Sequence, residues 1–284
     1  MNLKAYFRTP KGMLVVALAA LTGIAYTVDG PAAVLRVSLA AGAAVVVDLL
    51  FKAIKGKVEL PDSALLTGFI VGMILSPQVP IGVAILASAV AVTSKHLIAG
   101  KHGHFLNPAA FGLLVVGVLM STEQSWWGGL GDLPAVAIAA VVLAGWFIAE
   151  RVNKMPTVLA FLGTYLGLMT VAAVAGSGQV FGDAFREPMT GAAVFFACFM
   201  LTDPPTSPAR ASDQVWFAVI AALVSVACLA VNVGGVYYLL IGLLAANVFE
   251  GGRRALASRK KTKPARAPRA GGLGSMPRAT SPAA

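Results

Sequence analysis

Charged residues are scarce in this sequence. Asp, Glu, Lys and Arg make up 12% of the 284 residues, whereas 58% are hydrophobic. A soluble domain carries roughly 25% charged residues, so a chain of this length with half that share cannot cover a globule with polar surface. The low charge excludes an ordinary soluble protein and predicts that lipid solvates most of the chain.

Cysteine is rare as well. Cys198 and Cys228 lie inside apolar runs without CxxC spacing, and we interpret both as small buried apolar side chains. His96, His102 and His104 cluster in one short segment, but a metal site needs three or four convergent ligands, and we interpret this segment as a solvated loop. No metal site is predicted.

Hydrolase motifs are absent too. The chain has no Walker loop, no GxSxG turn and no HExxH pair, so no catalytic residue is predicted. The net charge of +10 could suggest nucleic acid, but the basic residues form short clusters between apolar runs, as membrane topology requires. The bilayer, and not nucleic acid, is the predicted partner.

Apolar runs long enough to cross a membrane dominate what remains. A transmembrane helix needs about 20 mostly apolar residues, and the sequence predicts an all-α, polytopic membrane protein of about ten such helices. The predicted spans are 12–28, 33–54, 63–76, 79–98, 108–121, 134–150, 156–175, 189–202, 215–233 and 236–249.

The Lys and Arg residues orient these spans. They precede span one and follow spans two, four, six, eight and ten, which are all on one side, while the opposite loops hold Arg186 alone. The positive-inside rule places this side in the cytoplasm, so both termini are expected there, in a bacterial-type inner membrane. Trp126 and Trp127 fit an aromatic belt on the outer side.

A repeated pattern divides the chain into halves. Span three opens with Thr67-Gly68 and ends in a break containing Pro77 and Pro80, and span eight opens with Thr190-Gly191 and ends in the proline-rich segment 202–208. Five spans per half predict two inverted five-helix repeats, 12–121 and 134–250. Segment 1–11 is a cytoplasmic N-terminal segment, 122–133 a short outer loop and 251–284 a basic disordered cytoplasmic tail.

A few polar residues lie within or beside the spans. Arg36 is expected to extend towards the outer surface, and Asp48 to form an ion pair with Lys52. Asn107 precedes Pro108 as a helix cap. Asp203 ends span eight, where the helix dipole disfavours a carboxylate, so capping does not explain it.

Four separated motifs resemble one family. They are Pro61-Asp62-Ser63-Ala64-Leu65-Leu66-Thr67-Gly68, Ser94-Lys95-His96-Leu97, Phe105-Leu106-Asn107-Pro108-Ala109 and Phe199-Met200-Leu201-Thr202-Asp203-Pro204-Pro205-Thr206-Ser207-Pro208. In this order they resemble the motifs of one family of membrane subunits. The family member is NqrB in the sodium-translocating NADH:quinone reductase and RnfD in the Rnf electron transport complex. The resemblance runs from about residue 3 to 254.

The resemblance implies a membrane subunit of a flavin-based electron transport complex, possible coupling to ion translocation, and other electron-transfer subunits or flavoproteins as partners. Family members carry flavin mononucleotide (FMN) on a threonine of the loop between spans five and six, but loop 121–133 has no Ser-Gly-Ala-Thr-like acceptor. Covalent FMN is therefore not expected. Non-covalent riboflavin or FMN is expected at Thr67, Lys95, Asn107, Thr202, Asp203 and Thr206.

Two other functions stay open. A transporter or channel could use the same inverted-repeat scaffold without a redox role, and a structural subunit could only dock a flavoprotein. The chain would at most be one subunit of an oxidoreductase, because it contains no NADH-binding or iron–sulfur domain of its own.

Overall fold

The described part of the protein is a bundle of helices. The computed structural model describes residues 3–57, 59–100, 103–131, 133, 135–177, 182, 185–186, 189–232 and 237–262. Its helices are α1 (Leu3–Tyr6), α2 (Pro10–Ile54), α3 (Asp62–Ile74), α4 (Ile81–Leu97), α5 (Pro108–Met120), α6 (Ala135–Arg151), α7 (Met155–Ala172), α8 (Met189–Phe195), α9 (Ala211–Ala230) and α10 (Tyr238–Thr262). The predicted all-α class is confirmed.

Each predicted span coincides with a helical segment. Within the described residues, four segments are long and apolar enough to cross a bilayer, namely Pro10–Thr27, Gly30–Ile54, Met155–Gly176 and Ala211–Ala230. Shorter apolar helices occupy Asp62–Ile74, Ile81–Leu97, Pro108–Met120 and Met189–Met200, and α6 and α10 take the two remaining predicted positions. The protein is a multi-pass membrane protein.

Helix α2 contains the first two spans and reverses direction between them. Gly30 adopts φ 63° and ψ −155°, which is a left-handed φ that glycine tolerates, and Pro31 follows it. Lys11 and Lys52, near the two ends of α2, line one cavity, whereas a straight helix would hold these two residues about 60 Å apart. We call the end of the bundle where these lysines lie the basic end, and the other the far end.

Arg36 lies at the far end, where α3 gives way to a break. Its side chain is 5% exposed, and its guanidinium donates hydrogen bonds of 2.5 Å each to the carbonyls of Val79 and Pro77. The expectation that Arg36 extends to the outer surface is therefore wrong. Proline leaves backbone groups of the break without helical partners, and a buried guanidinium satisfies two of them.

The loop after α5 packs on the same break. The amides of Ser125 and Trp126 donate to Ile74 O at 3.0 and 3.1 Å, and the Trp127 indole donates to Gly72 O at 3.0 Å. Trp126 and Trp127 are 6% and 5% exposed. The predicted aromatic belt is wrong for these two residues, because both rings lie inside the bundle.

A small hairpin separates α4 from α5. Strands β1 (Ala99–Gly100) and β2 (Gly103–His104) pair antiparallel, with Ala99 opposite His104. The sequence did not predict these strands, because two-residue strands are too short for any alternation. The hairpin brings His104 back towards the end of α4.

Glycine brings neighbouring helices into close contact at two related places. A Cβ on Gly112 of α5 would lie 2.5 Å from Ala87 O of α4, and a Cβ on Gly242 of α10 would lie 2.5 Å from Ala221 O of α9. Backbones that approach this closely exclude any side chain at the contact, which is a common way of packing helices in membranes.

The last helix corrects the prediction for the tail. Helix α10 continues to Thr262, so residues 251–262 are helical and not disordered. Glu250 anchors this extension by pairing with Arg253 and Arg254 at 2.8 and 2.7 Å. The rest of the predicted tail and His102 lie outside the described residues.

Replacing Gly242 with Ala should destabilise the protein by about 1–3 kcal/mol, because the added Cβ clashes with Ala221 and Ser225. Gly163→Ala is the matched control, since a Cβ there meets no atom within 4 Å. Thermal unfolding in detergent, followed by size-exclusion chromatography, measures the effect. Equal unfolding midpoints for the two variants would contradict the close contact of α9 and α10.

Candidate functional site

The segment after α8 does not continue as a regular helix. Residues Phe196–Met200 form a π-helical turn, and the hydroxyl of Thr202 donates back to Cys198 O at 2.5 Å. The carbonyl of Asp203 then accepts the amide of Ser207 at 3.0 Å. We call residues 202–208 the proline break, because Pro204, Pro205 and Pro208 remove three backbone donors from it.

Two asparagines fasten the proline break and the π-helical turn before it to α5 and α10 at the basic end. Asn107 caps α5 by accepting the amide of Ala110 at 3.0 Å, as predicted, and its side-chain amide donates to Met200 O at 3.2 Å. Asn247 of α10 accepts the backbone amide of Asn107 at 2.8 Å and donates to Thr206 O at 3.2 Å. The position of the break therefore depends on α5 and α10 together.

Two cations hold further carbonyls of the break. Lys154, which is 4% exposed, donates to Pro208 O and, at 3.4 Å, to Ser207 O. Arg254 donates to Pro205 O and Ser207 O, both at 2.9 Å. Burial lowers the pKa of Lys154 to about 8, and the positive charge of Arg254 acts in the same direction. These donors satisfy carbonyls of a segment in which three residues have no amide hydrogen.

Carboxylates balance the cations at this end of α10. Glu250 is 3% exposed and pairs with Arg254, as described above. Arg253, the other partner of Glu250, also reaches Asp213 of α9 at 2.8 Å. The helical extension after Glu250 is thus tied both to α9 and to the proline break.

The proline break forms one wall of a cavity at the basic end. The cavity has a volume of about 830 Å³, within the range of ligand sites of roughly 300–1,000 Å³. Its walls come from the two ends of α2, from α3, α4, α5 and α6 and from the break. They are formed by Pro10, Lys11, Leu14, Lys52, Lys55, Lys57, Glu59, Leu60, Asp62, Ser63, Leu66, Thr67, Ile70, Lys95, His96, His104, Asn107, Pro108, Ala109, Ile148, Val152, Phe199, Thr202, Asp203, Pro204 and Pro205.

A buried carboxylate organises the α4 side of this cavity. Asp48 has no exposed surface and pairs with Lys52 at 2.7 Å, which confirms the predicted ion pair. Lys95 and His96 of α4 contact its other oxygen at 3.3 and 2.8 Å. His96 also stacks on Phe51, with ring centroids 4.6 Å apart.

Asp203 and His104, two titratable groups of the cavity that lie outside the helices, have shifted pKa values. Burial raises the pKa of Asp203 to about 6, although the hydrogen bond from Thr206 and the charge of Lys154 act in the opposite direction. Burial lowers the pKa of His104 to about 4, and the charge of Lys95 acts in the same direction. Around neutral pH, the cavity therefore contains a neutral imidazole and a carboxyl group close to its titration point.

The structure brings the predicted site residues together. Five of them line the cavity, namely Thr67, Lys95, Asn107, Thr202 and Asp203. The sixth, Thr206, donates to Asp203 Oδ2 at 2.9 Å. The interpretation of the histidines as a solvated loop is wrong for His96 and His104, which both line the cavity. Within the described residues, no three His, Cys, Asp or Glu side chains are grouped as a metal site would require.

Other residues of the site were not predicted from the sequence. Lys154 and Arg254 resemble ordinary positive-inside residues, and only their contacts with the proline break distinguish them. Glu250 could have been recognised, because a lone carboxylate three and four residues before two arginines predicts helical ion pairs.

Comparisons with known proteins identify the family. The sequence profile of the NQR2, RnfD, RnfE family matches residues 3–137 and 126–250. The chain belongs to this family. Among its relatives is the D subunit of the proton-translocating ferredoxin:NAD(+) oxidoreductase complex of Clostridium ljungdahlii, which is 25% identical over 224 residues, covering 62% of this chain and 68% of the relative. All four motifs that suggested the family lie inside the matched residues, and so does the proline break.

Arg254→Ala should loosen the proline break, since Pro205 O loses the Arg254 donor and Ser207 O keeps only its 3.4 Å contact with Lys154. Hydrogen–deuterium exchange should become faster in peptides covering 202–208 while α9 stays protected. Arg253→Ala is the control, because Arg253 binds Glu250 and Asp213 and not the break. Equal exchange in both variants would show that Arg254 does not hold the break.

Asp203→Asn should remove a pH dependence of stability. Because folding raises the pKa of this carboxyl from 3.8 to about 6, the folded protein binds more protons than the unfolded chain between these values. The Asp203 contribution to stability is therefore complete below pH 4 and is lost as the pH rises through 6.

Thermal midpoints measured from pH 4 to 7 test this sign. The wild type should gain stability relative to Asp203→Asn as the pH falls. His104, whose lowered pKa has the opposite effect, is present in both proteins and cancels in the difference. A difference that does not change with pH would contradict the shifted pKa of Asp203.

Proposed function

We propose that this protein is a membrane subunit of an Rnf- or NQR-type electron transport complex and that its cavity at the basic end binds a flavin non-covalently. Membership of the family supports the membrane electron-transport role. The observation that carries the flavin proposal is the convergence of the family motifs on one cavity of about 830 Å³. A flavin supplies one- and two-electron transfer when it is bound.

The residues of the cavity fit such a group. Leu14, Ile70 and Phe199 give it an apolar and aromatic part, while Thr67, Lys95 and His104 give it polar groups. Planar aromatic rings with polar edges need both kinds of surface. The chain would hold and orient the flavin and restrict its access to water, and Asp203 could exchange a proton with a ligand beside it.

The loop between α5 and α6 supports non-covalent binding. Its residue Thr122 is 9% exposed, and its hydroxyl lies 3.4 Å from the Tyr237 hydroxyl. An acceptor for a covalent flavin must present its hydroxyl to the flavin phosphate. The hydroxyl of Thr122 is instead directed to Tyr237, the residue before α10.

We further infer that residues 12–121 and 134–250 are inverted halves. The same glycine contact joins α4 to α5 and α9 to α10. In each half, a cation near the start of the second span donates to carbonyls of the break that follows the third span. This cation is Arg36 in the first half and Lys154 in the second. Arg36 and its break lie at the far end, and Lys154 and its break lie at the basic end. A two-fold axis in the membrane plane that relates the halves requires this arrangement.

We propose that the protein is oriented in the membrane with its basic end in the cytoplasm of a bacterial-type cell, because the positive-inside rule favours this side for Lys and Arg. The described part of the chain places Lys11, Lys52, Lys95, Lys154 and Arg254 at that end. The partners would be the other membrane subunits or flavoproteins of the complex, which must deliver and remove electrons.

A transporter is the second candidate. The cavity lies between segments of the two halves and is walled by an interrupted helix, which is the usual place for a solute or ion site in inverted-repeat transporters. Flux into proteoliposomes without any redox couple, together with an absence of flavin binding, would favour this function.

Flavin titration of the purified protein tests the first proposal. Riboflavin or FMN fluorescence should be quenched on binding, and Leu14→Trp should weaken binding by roughly tenfold or more, about 1.4 kcal/mol, because the indole fills the cavity. Val16→Trp is the control, since Val16 is 51% exposed and does not line the cavity. A wild-type protein that neither binds added flavin nor releases any on denaturation would overturn the proposal.

A further inference from the structure

The positive charge of the chain is concentrated after its last span. Residues 251–284 contain nine Lys and Arg and no Asp or Glu, so they supply nine of the ten units of net positive charge. The 250 residues before them are nearly neutral, with 13 basic and 12 acidic residues. Helix α10 carries the first part of this segment, residues 251–262, beyond the last span. We call these residues the α10 extension.

The α10 extension begins at the membrane surface. Arg253 pairs with Asp213 in the first turn of α9 at 2.8 Å, so the two helices are level at this point. Trp216, about one turn further along α9 towards the far end, is 65% exposed. Exposed tryptophans concentrate at the boundary between headgroups and acyl chains. Arg253 therefore lies in the headgroup layer, on the water side of Trp216.

The rest of the extension stays close to the headgroups. Lys261, its last basic residue, is at most about 12 Å from Arg253 along the helix, and closer to the membrane if the helix tilts. The headgroup layer is itself about 6 Å thick, and charges act over a Debye length of about 8 Å at physiological salt. All basic residues of the extension are therefore within electrostatic reach of the headgroups.

The cations at the base of the extension are balanced, whereas those in its last turn are not balanced by their own segment. Glu250 pairs with Arg253 and Arg254, and Asp213 adds a second carboxylate for Arg253. Residues 259–261, which are Arg-Lys-Lys, follow in a segment that contains no carboxylate side chain. Their charge calls for an anion from outside the segment.

Leu256 favours lipid as the source of this anion. Its side chain is 62% exposed, and in sequence it lies between the arginines at the base and the basic last turn. An exposed leucine among cations suits the boundary between headgroups and acyl chains, where amphipathic segments bind. Clusters of Lys and Arg directly after a transmembrane helix are typical of segments that attract anionic lipids. An anionic phospholipid offers both a charged phosphate and apolar chains.

We propose that anionic phospholipid binds the α10 extension and thereby stiffens the proline break. The link is Arg254, which belongs to the extension and donates to Pro205 O and Ser207 O, both at 2.9 Å. Lipid that holds the extension in place also holds Arg254 against the break. The lipid charge at the membrane surface would then determine how firmly one wall of the cavity is fixed. The inference is independent of the proposed function, because it concerns this wall and not what the cavity binds.

Hydrogen–deuterium exchange of the full chain in lipid nanodiscs tests the proposal. Peptides covering 255–262 and 202–208 should exchange at least roughly fivefold more slowly in discs containing phosphatidylglycerol than in discs of phosphatidylcholine alone, as expected when even one surface cation is engaged. Arg259→Gln combined with Lys261→Gln should lose most of this difference. Arg8→Gln combined with Arg151→Gln is the control, since it removes the same charge from two other exposed positions and should keep the difference.

Arg254→Ala separates lipid binding from its effect on the break. In this variant, phosphatidylglycerol should still slow exchange in 255–262, because the cations of the last turn remain. It should no longer slow exchange in 202–208, because the contacts with Pro205 O and Ser207 O are gone. A break that still responds to the lipid would show that Arg254 is not the link.

Other outcomes would overturn the inference as a whole. Equal exchange of the wild type in both kinds of disc does so, and so does a lipid effect that persists without the charges of Arg259 and Lys261. Poly-glutamate added to phosphatidylcholine discs is the probe for an acidic protein. Protection by this peptide without any by phosphatidylglycerol would assign the extension to a protein partner instead of lipid.

Discussion

Backbone carbonyls that have lost their helical partners are the constraint on which this structure depends. In an apolar bundle such groups cannot turn to lipid, and each one left unpaired costs several kcal/mol. The proline break contains several such carbonyls close together, because Pro204, Pro205 and Pro208 supply no amide hydrogens. The protein satisfies them with side chains from distant segments, so the break is held in place by α5, by α10 and by the residue before α7.

This solution links the cavity to residues that lie far away in the sequence. Arg254 is 49 residues from Pro205 and contacts it after the last span has ended. Because Glu250 fixes Arg254, the charge balance at the end of α10 determines how firmly one wall of the cavity is held. The opposite wall depends on a second buried carboxylate, Asp48, which positions groups of α2 and α4. Both sides of the cavity are therefore arranged by charges that lipid cannot screen.

The far end of the bundle uses the same chemistry. Arg36 binds carbonyls in the break after α3 as Lys154 does in the break after α8. At the basic end, Asn107 contacts Asn247. At the far end, Tyr237 meets Gly117 and Thr122. Related contacts at both ends support a pair of inverted halves. The lysine-rich cavity described above lies at the basic end.

The sequence by itself determined the class of the protein, the positions of its helices and its family. These follow from local quantities, namely the length of apolar runs, the position of prolines and the order of four motifs. The six predicted site residues also came from those motifs, and they do lie at one cavity. Their role in holding a flavin stays a prediction.

Only the tertiary structure decided what the isolated charges do. Arg36 looked like a residue that reaches the surface, and Trp126 and Trp127 looked like a belt, because sequence spacing does not reveal which side of a helix another segment covers. Lys154 and Arg254 act on residues 54 and 47 positions away, and His104 is placed by a hairpin too short to predict. Apolar length is a property of each segment alone, whereas the partner of a buried charge is a property of the whole packed bundle.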